Sequence, residues 1–280
     1  MLSHRFLLRS FFSLLLLCSG IAAIAAPVAD SSKPLVIGQV RKFHSAILNE
    51  ERTLNIYLPY DFDSSKTYPV LYLLDGSMDE DFIHITGLAQ FFNLMFTMPE
   101  CIIVGIANVD RKRDFTFQSD LPEMKKTIPT GGHSDAFIRF VENELQPYIE
   151  KSFPVNATRY LIGQSLGGLV AAEILLKKPE LFTHYFIISP SLWWDKESLL
   201  KAAPALLKQH TNVEKFVYIS AGKKEPPVMP KDARQLYNLL NASGLSKMKL
   251  HLNLMAEEDH GTILHRSIYE AFLLLFKPRY

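Results

Sequence analysis

Residues 158–182 read TRYLIGQSLGGLVAAEILLKKPELF. The apolar run Tyr160–Ile162 breaks into Gly163-Gln164-Ser165-Leu166-Gly167-Gly168, and an amphipathic helical pattern follows. Gly-x-Ser-x-Gly alone is weak, because three fixed positions of common residues recur by chance. Placed between a strand and a helix it reads as a nucleophile elbow. Gly163 and Gly167 let strand and helix approach closely around a sharp turn. Ser165 then takes a strained backbone conformation that pushes its hydroxyl out at the end of a sheet. The helix N-terminus behind it favours developing negative charge. The bland alternative is a glycine-rich turn with a capping serine.

An elbow needs a sheet, and the rest of the chain supplies one. Strand-like segments fall at 36–47, 51–58, 101–108, 158–162, 183–188, 215–221 and 247–255, with YPVLYLLDG as a further continuous apolar run. Such runs suit strands buried on both faces, whereas Leu54, Ile56 and Leu58 alternate as in a half-buried antiparallel strand. Helical spacing covers 79–97, 134–151, 166–178, 196–209, 231–243 and 261–276. The stretch 110–132 reads as a long polar connection. Alternation of strand and helix predicts an α/β fold, a mostly parallel sheet with helices on both faces. At 280 residues, with no internal repeat or long linker, residues 26–280 are expected to form a single domain.

The first 25 residues read as a signal peptide. His4, Arg5 and Arg9 precede the apolar stretches Phe11–Leu17 and Ile21–Ile24, and Ala23-Ile24-Ala25 fits a cleavage site. An uncleaved anchor is the competing reading, although the apolar run is short and interrupted. Cleavage implies a secreted, periplasmic protein with no stable membrane partner. It leaves Cys101 alone in an apolar run, a small core residue with no partner for a disulfide. A formal net charge of +1 and the lack of a basic block argue against nucleic acid as a partner.

A serine hydroxyl needs a base, and in this fold class the chain order is Ser, acid, His. His260 lies in EEDHGT, past the last alternating strand and at the start of the last helix. His184, His210, His251 and His265 fit worse; His265 sits one turn into a helix. Glu225, just beyond strand 215–221, is the candidate acid. A Ser–His pair without an acid is the alternative, and Asp259 is too close in sequence to orient its neighbour. Oxyanion donors are expected at the Leu166 N–H and in the loop after YPVLYLLDG, at Gly76 or Ser77. No cofactor or metal is called for. Asp75 reads as a turn-former.

The stretches YPVLYLLDG, DRKRDFT, FIRFVENELQPYIEKSF, LIGQSLGGL, LFTHYFIISPSLWWD, ISAGKKE and EEDHGT together resemble the putative-esterase family of α/β hydrolases. The resemblance is to the branch that cleaves catecholate siderophores such as enterobactin, salmochelin and bacillibactin. It implies an α/β-hydrolase sheet with Ser165 as nucleophile and His260 as base, and it leans toward a Ser–His dyad. The related mycolyltransferases share the Leu-Asp-Gly strand end, which implies the Ser77 N–H in the oxyanion hole. Gln164 departs from the His that commonly precedes the nucleophile, with little mechanistic consequence expected. Trp193 and Trp194 are candidates for an aromatic acyl pocket or for core packing. Arg111 and Arg113 are candidates for attracting an anionic ferric siderophore, or for a loop clamp with Asp110 or Asp114.

The resulting expectation is a secreted serine ester hydrolase working through an acyl-enzyme, with a small-molecule ester as partner and a ferric siderophore as one candidate. An acyltransferase of the same fold and a non-catalytic ligand-binding relative are the alternatives.

Overall fold

The computed structural model describes residues 32–211 and 214–277. The expected signal peptide, residues 1–25, lies outside the described residues. Ile37–Tyr280 makes up one compact unit, and no helix among the described residues is long and apolar enough to cross a membrane.

The strands are β1 (Gln39–Ser45), β2 (Glu50–Tyr57), β3 (Tyr68–Leu73), β4 (Ile102–Ile106), β5 (Val155–Gln164), β6 (His184–Ile188), β7 (Lys215–Gly222) and β8 (Met248–Met255). They form a single sheet in the order β1-β2-β4-β3-β5-β6-β7-β8. β1 pairs with β2, and β2 with β4, antiparallel. The remaining pairings are parallel. The antiparallel pair at one edge is what the alternating pattern of β2 requires, since an edge needs cover on fewer sides.

The helices are α1 (Phe82–Leu94), α2 (Arg111–Phe115), α3 (Pro122–Thr127), α4 (Ser134–Phe140), α5 (Gln146–Ser152), α6 (Leu166–Lys177), α7 (Ser198–Leu207), α8 (Val228–Asn241) and α9 (Ile263–Leu275). The period-two geometry of β3 sends Val70 and Tyr72 into a core with Phe137, Leu169, Leu200 and Leu236, from α4, α6, α7 and α8. Leu71 and Leu73 enter a second core on the other face, with Ile85 of α1 and Ile268 of α9. Each fully buried aliphatic side chain contributes roughly 1.5–3 kcal/mol relative to exposure. Cys101 is fully buried in the second core, and burial pushes its thiol up to about 12.

Two sequence expectations change here. The polar connection 110–132 contains the short helices α2 and α3. Asp110 caps α2 by accepting from the Arg113 N–H at 3.0 Å, a local signal too short for a periodicity reading to catch. The helix expected over 134–151 is interrupted by a π-turn at Val141–Leu145. Pro147, at the start of α5, has no N–H to bond back into the preceding turn. The interruption has a use: the Glu144 carboxylate within it accepts the N–H groups of Ala46 and Ile47 at 2.9 and 3.0 Å, fixing the β1–β2 turn.

Candidate active site

Parallel strands end together, so the loops after β3, β5, β6, β7 and β8 meet at one edge of the sheet. Ser165 follows β5 with φ 58° and ψ −118°, a conformation L-residues avoid. The turn is held on both sides. The Ser165 N–H donates to the Ile188 carbonyl at 3.1 Å, and its own carbonyl accepts the N–H groups of Leu169 and Ser191 at 2.9 and 3.0 Å. Gly163 is required, because a Cβ there would strike the Gly167 carbonyl. Gly168 is equally required, because a Cβ there would lie 2.8 Å from the Ile188 carbonyl oxygen. Two neighbouring loops are strained as well: Asp75 after β3 has φ 54° and Ser189 after β6 has φ 40°. Strain of this kind, on the order of 1–3 kcal/mol per residue, persists only where surroundings enforce it and clusters at functional sites.

Glu225, at the loop after β7, is a nearly buried carboxylate whose hydrogen-bonding capacity is well used. Its Oε2 lies 2.8 Å from Nδ1 of His260, from the loop after β8. Its Oε1 accepts the Gly222 N–H at 2.6 Å and the Ser189 hydroxyl. Burial alone would raise the Glu225 pKa, but the hydrogen bonds from His260, Ser189 and Gly222 hold it below the usual glutamate value. With Nδ1 engaged, Nε2 is the nitrogen His260 has left. Ser165 and His260 line one open cleft. The Ser165 hydroxyl is 3.3 Å from the Ser191 hydroxyl, and among the described residues no hydrogen bond joins it to His260. Nucleophile–base contacts often tighten only once substrate is bound. Clefts of comparable size lie at the opposite end of the strands, beside His210 and Lys215; the Thr183 hydroxyl there is 2.8 Å from His184 Nδ1, but it stands on no strained turn.

Of the two expected oxyanion loop positions, Gly76 is unsuitable. Its N–H is committed to the Ile106 carbonyl at 3.1 Å, while its carbonyl accepts from buried Asn55 at 2.7 Å. Ser77 is next; its N–H reaches only the Glu80 carboxylate, at 3.4 Å. Leu166 opens α6, where an amide has no carbonyl partner within its own helix.

The two candidate arginines separate. Arg111 lines the cleft beside Ser165. Its Nε and Nη2 grip Asp75 at 2.6 and 2.8 Å, and Nη2 also reaches the Gln164 carbonyl at 3.3 Å. Asp75 is therefore more than a turn-former: it holds Arg111 and accepts from Asn108 at 2.7 Å. Arg113 takes the loop-clamp alternative and stands outside the cleft lining. It donates to Glu50 at 2.6 and 2.9 Å and to Asp114 at 2.8 Å, in a cluster centred on fully buried Arg52. Its charge is thus spent inside the fold. Trp194 takes the core-packing alternative: it is buried, and its indole N–H donates to the Phe117 carbonyl at 2.9 Å. Trp193 is 36% exposed and packs edge-on against Trp194; neither ring lines the cleft. Gln164 matters more than expected, because its Nε2 donates to the His260 carbonyl at 2.5 Å, tying the strand before the serine to the histidine loop. Ser189 and Asn108 carry no motif that signals them in the sequence.

The pattern of the family described as "Putative esterase" matches residues 45–261. The chain belongs to that family. It is 31% identical over 255 residues to ferri-bacillibactin esterase BesA of Bacillus subtilis (strain 168), covering 82% of this chain and 87% of that protein. The crystal structure of the BES protein from Bacillus cereus superposes with a TM-score of 0.78 at 26% identity, covering 90% of this chain and all of that one. An IroE-like serine hydrolase from Shewanella oneidensis gives 0.76 at 30% identity, over 86% and 80% of the two chains. The enzyme is a carboxylic-ester hydrolase with an α/β-hydrolase sheet.

Proposed function

We propose that the enzyme hydrolyses siderophore esters by a serine acyl-enzyme route, with Ser165, His260 and Glu225 as a triad. The observation that carries this reading is the chain of groups at the strand ends. A strained serine shares a cleft with a histidine whose Nδ1 is held by a buried, ionised carboxylate. His260 Nε2 takes the Ser165 proton as Oγ attacks the ester carbonyl. The Leu166 and Ser77 N–H groups receive the oxyanion, the Ser77 amide turning from Glu80 as it does so. His260 then protonates the departing alkoxide, and water repeats the sequence on the acyl-enzyme. Glu225 orients the imidazole and stabilises its charged form. The siderophore assignment rests on the similarity to BesA. It favours an ester-linked iron chelator over a simple aliphatic ester.

The N-terminal segment further supports export to the periplasm with removal of residues 1–25. The decisive experiment compares a cyclic catecholate triester with a p-nitrophenyl ester, using wild type and Ser165→Ala, with product analysis by mass spectrometry. Ring-opened and monomeric acids from wild type alone are expected. Turnover restricted to the aryl ester would remove the siderophore assignment, and transfer of the acyl group to an added alcohol in preference to water would remove hydrolysis. Sequencing the N-terminus of periplasmic protein tests the cleavage after Ala25.

A further inference from the structure

Beside the cleft, α1 and α9 pack together, and each carries a histidine in its first turn. His84 Nδ1 and His265 Nδ1 lie 3.2 Å apart, with ring centroids 5.3 Å apart and planes tilted by 44°. The other nitrogen of His84, Nε2, is 3.0 Å from the Asp81 carboxylate. Asp81 is the N-cap residue of α1, yet its side chain caps no backbone amide. An aspartate at that position ordinarily accepts from the amides of the first turn; here it is turned to the histidine instead.

We infer that His84 and His265 form a two-histidine site for a divalent transition metal, with Asp81 orienting His84 from behind. Two imidazole nitrogens bound to one tetrahedral ion at about 2.0–2.1 Å stand roughly 3.3 Å apart, close to the spacing these atoms already have. The Asp81–His84 contact is the carboxylate–histidine arrangement that fixes the ring orientation and tautomer of metal-ligating histidines. With Nε2–H of His84 donated to Asp81, His84 Nδ1 is a bare lone pair, and a single proton, on His265 Nδ1, lies between the two nitrogens. Metal takes that place. Two N–metal bonds form, and the His265 proton passes through solvent to its own Nε2, so both rings stay neutral and no net proton is released. His265 is exposed, so its Nε2 can meet water. No group of three or more ligating side chains converges among the described residues; water completes the coordination, and the ion is an imidazole-preferring one such as Cu²⁺ or Zn²⁺.

The position gives the site a consequence. α1 follows the Ser77 loop, and α9 follows the His260 loop. A bound ion therefore clamps together the two loops that flank the serine. The 181-residue separation of the two histidines explains why no spacing motif announces the site.

The test is calorimetric titration of metal-stripped protein with CuCl₂ and with ZnCl₂. Wild type is compared with His84→Gln, His265→Gln, the double variant and Asp81→Asn, with circular dichroism to establish that each is folded. One site is expected in wild type, tighter for Cu²⁺ than for Zn²⁺, and weakened at least tenfold by either histidine change. Asp81→Asn weakens it by roughly 10- to 100-fold. Saturating Zn²⁺ raises the thermal midpoint of wild type and leaves the double variant unmoved. Electron paramagnetic resonance of Cu²⁺-loaded wild type reads the ligands directly, with hyperfine structure from imidazole nitrogens of two rings expected, and it decides the matter should a variant fail to fold. Isotherms that are the same in wild type and double variant, or a copper signal without two imidazole donors, overturn the inference. Neither readout depends on ester turnover.

Discussion

Two clusters of charged and polar groups draw on neighbouring residues of one short helix, Arg111 and Arg113, and do opposite things. In the Arg52 cluster, a fully buried guanidinium donates to Glu50 and Asp114 at 2.8 Å, and Arg113 closes the set. The Phe140 ring covers Arg52 at 5.4 Å. The charges answer one another and face no cleft. At the strand ends, Ser165, His260 and Arg111 line an open cleft and the backbone is strained at Asp75, Ser165 and Ser189. One cluster spends its polar groups on the fold; the other keeps some of them uncommitted at a cost in stability. Arg111 and Arg113 look interchangeable in sequence and fall on either side of that line.

The sharpest way to separate the two regions is Ser165→Ala. Turnover should fall on the order of 10⁵-fold or more while the thermal midpoint stays within a degree or two; retained hydrolysis in homogeneous protein would show that the nucleophile is elsewhere. Next is Glu225→Gln, with an expected kcat loss on the order of 10⁴-fold, because the amide no longer stabilises the charged imidazole. A loss of tenfold or less would mean that the Glu225–His260 contact is structural and that a Ser–His pair suffices. In the other region, Arg52→Met should do the reverse. It strands Asp114 and Glu50 without their central partner and costs about 3–5 kcal/mol of stability, read by denaturant unfolding, with kcat little changed in the folded fraction. A crippled kcat there would couple regions that the structure keeps apart.

Acid should act on both regions in the same sense. Burial raises the Glu225 and Glu50 pKa values, but their hydrogen-bond and charge partners outweigh it, so both end below the ordinary glutamate value. A depressed folded pKa means stability that is present above the unfolded value, about 4.3, and lost as pH falls through the lower folded one. Thermal midpoints measured downward from pH 5 should therefore drop less steeply in Glu225→Gln than in wild type. Equal slopes would mean that folding does not lower the Glu225 pKa. The smallest effect belongs to Gln164→Ala, which frees the His260 carbonyl. We expect a kcat lowered about three- to tenfold, consistent with one lost hydrogen bond of about 1 kcal/mol, and no change in midpoint large enough to resolve.

The same contrasts divide the residues that a sequence announces from those it conceals. Ser165 is legible because its turn has a local signature between two periodic segments. His260 and Glu225 are legible because strand order places them, each just past a recognisable strand. The architecture follows from the alternation of apolar runs with helical spacing. What stays hidden depends on partners far apart in sequence. Asp75 and Arg111 are 36 residues apart, and Gln164 and His260 are 96 apart; no spacing rule links them. The choice between dyad and triad is open in the sequence because it places a carboxylate but cannot show where its oxygens point. The π-turn and the helices α2 and α3 are shorter than the window over which hydrophobic periodicity accumulates.

The proposed groups of the cleft enter the chain in the order Ser77, Ser165, Glu225, His260. At synthesis rates of about 5–20 residues per second, roughly ten to forty seconds separate the first of these from the last. A chain that has formed the elbow and its sheet neighbours but not yet β8 and α9 lacks the histidine proposed to activate the serine. With His260 as the proposed base, activity waits until β8 and α9 have docked, and hydrolysis of a simple ester doubles as a readout that they have.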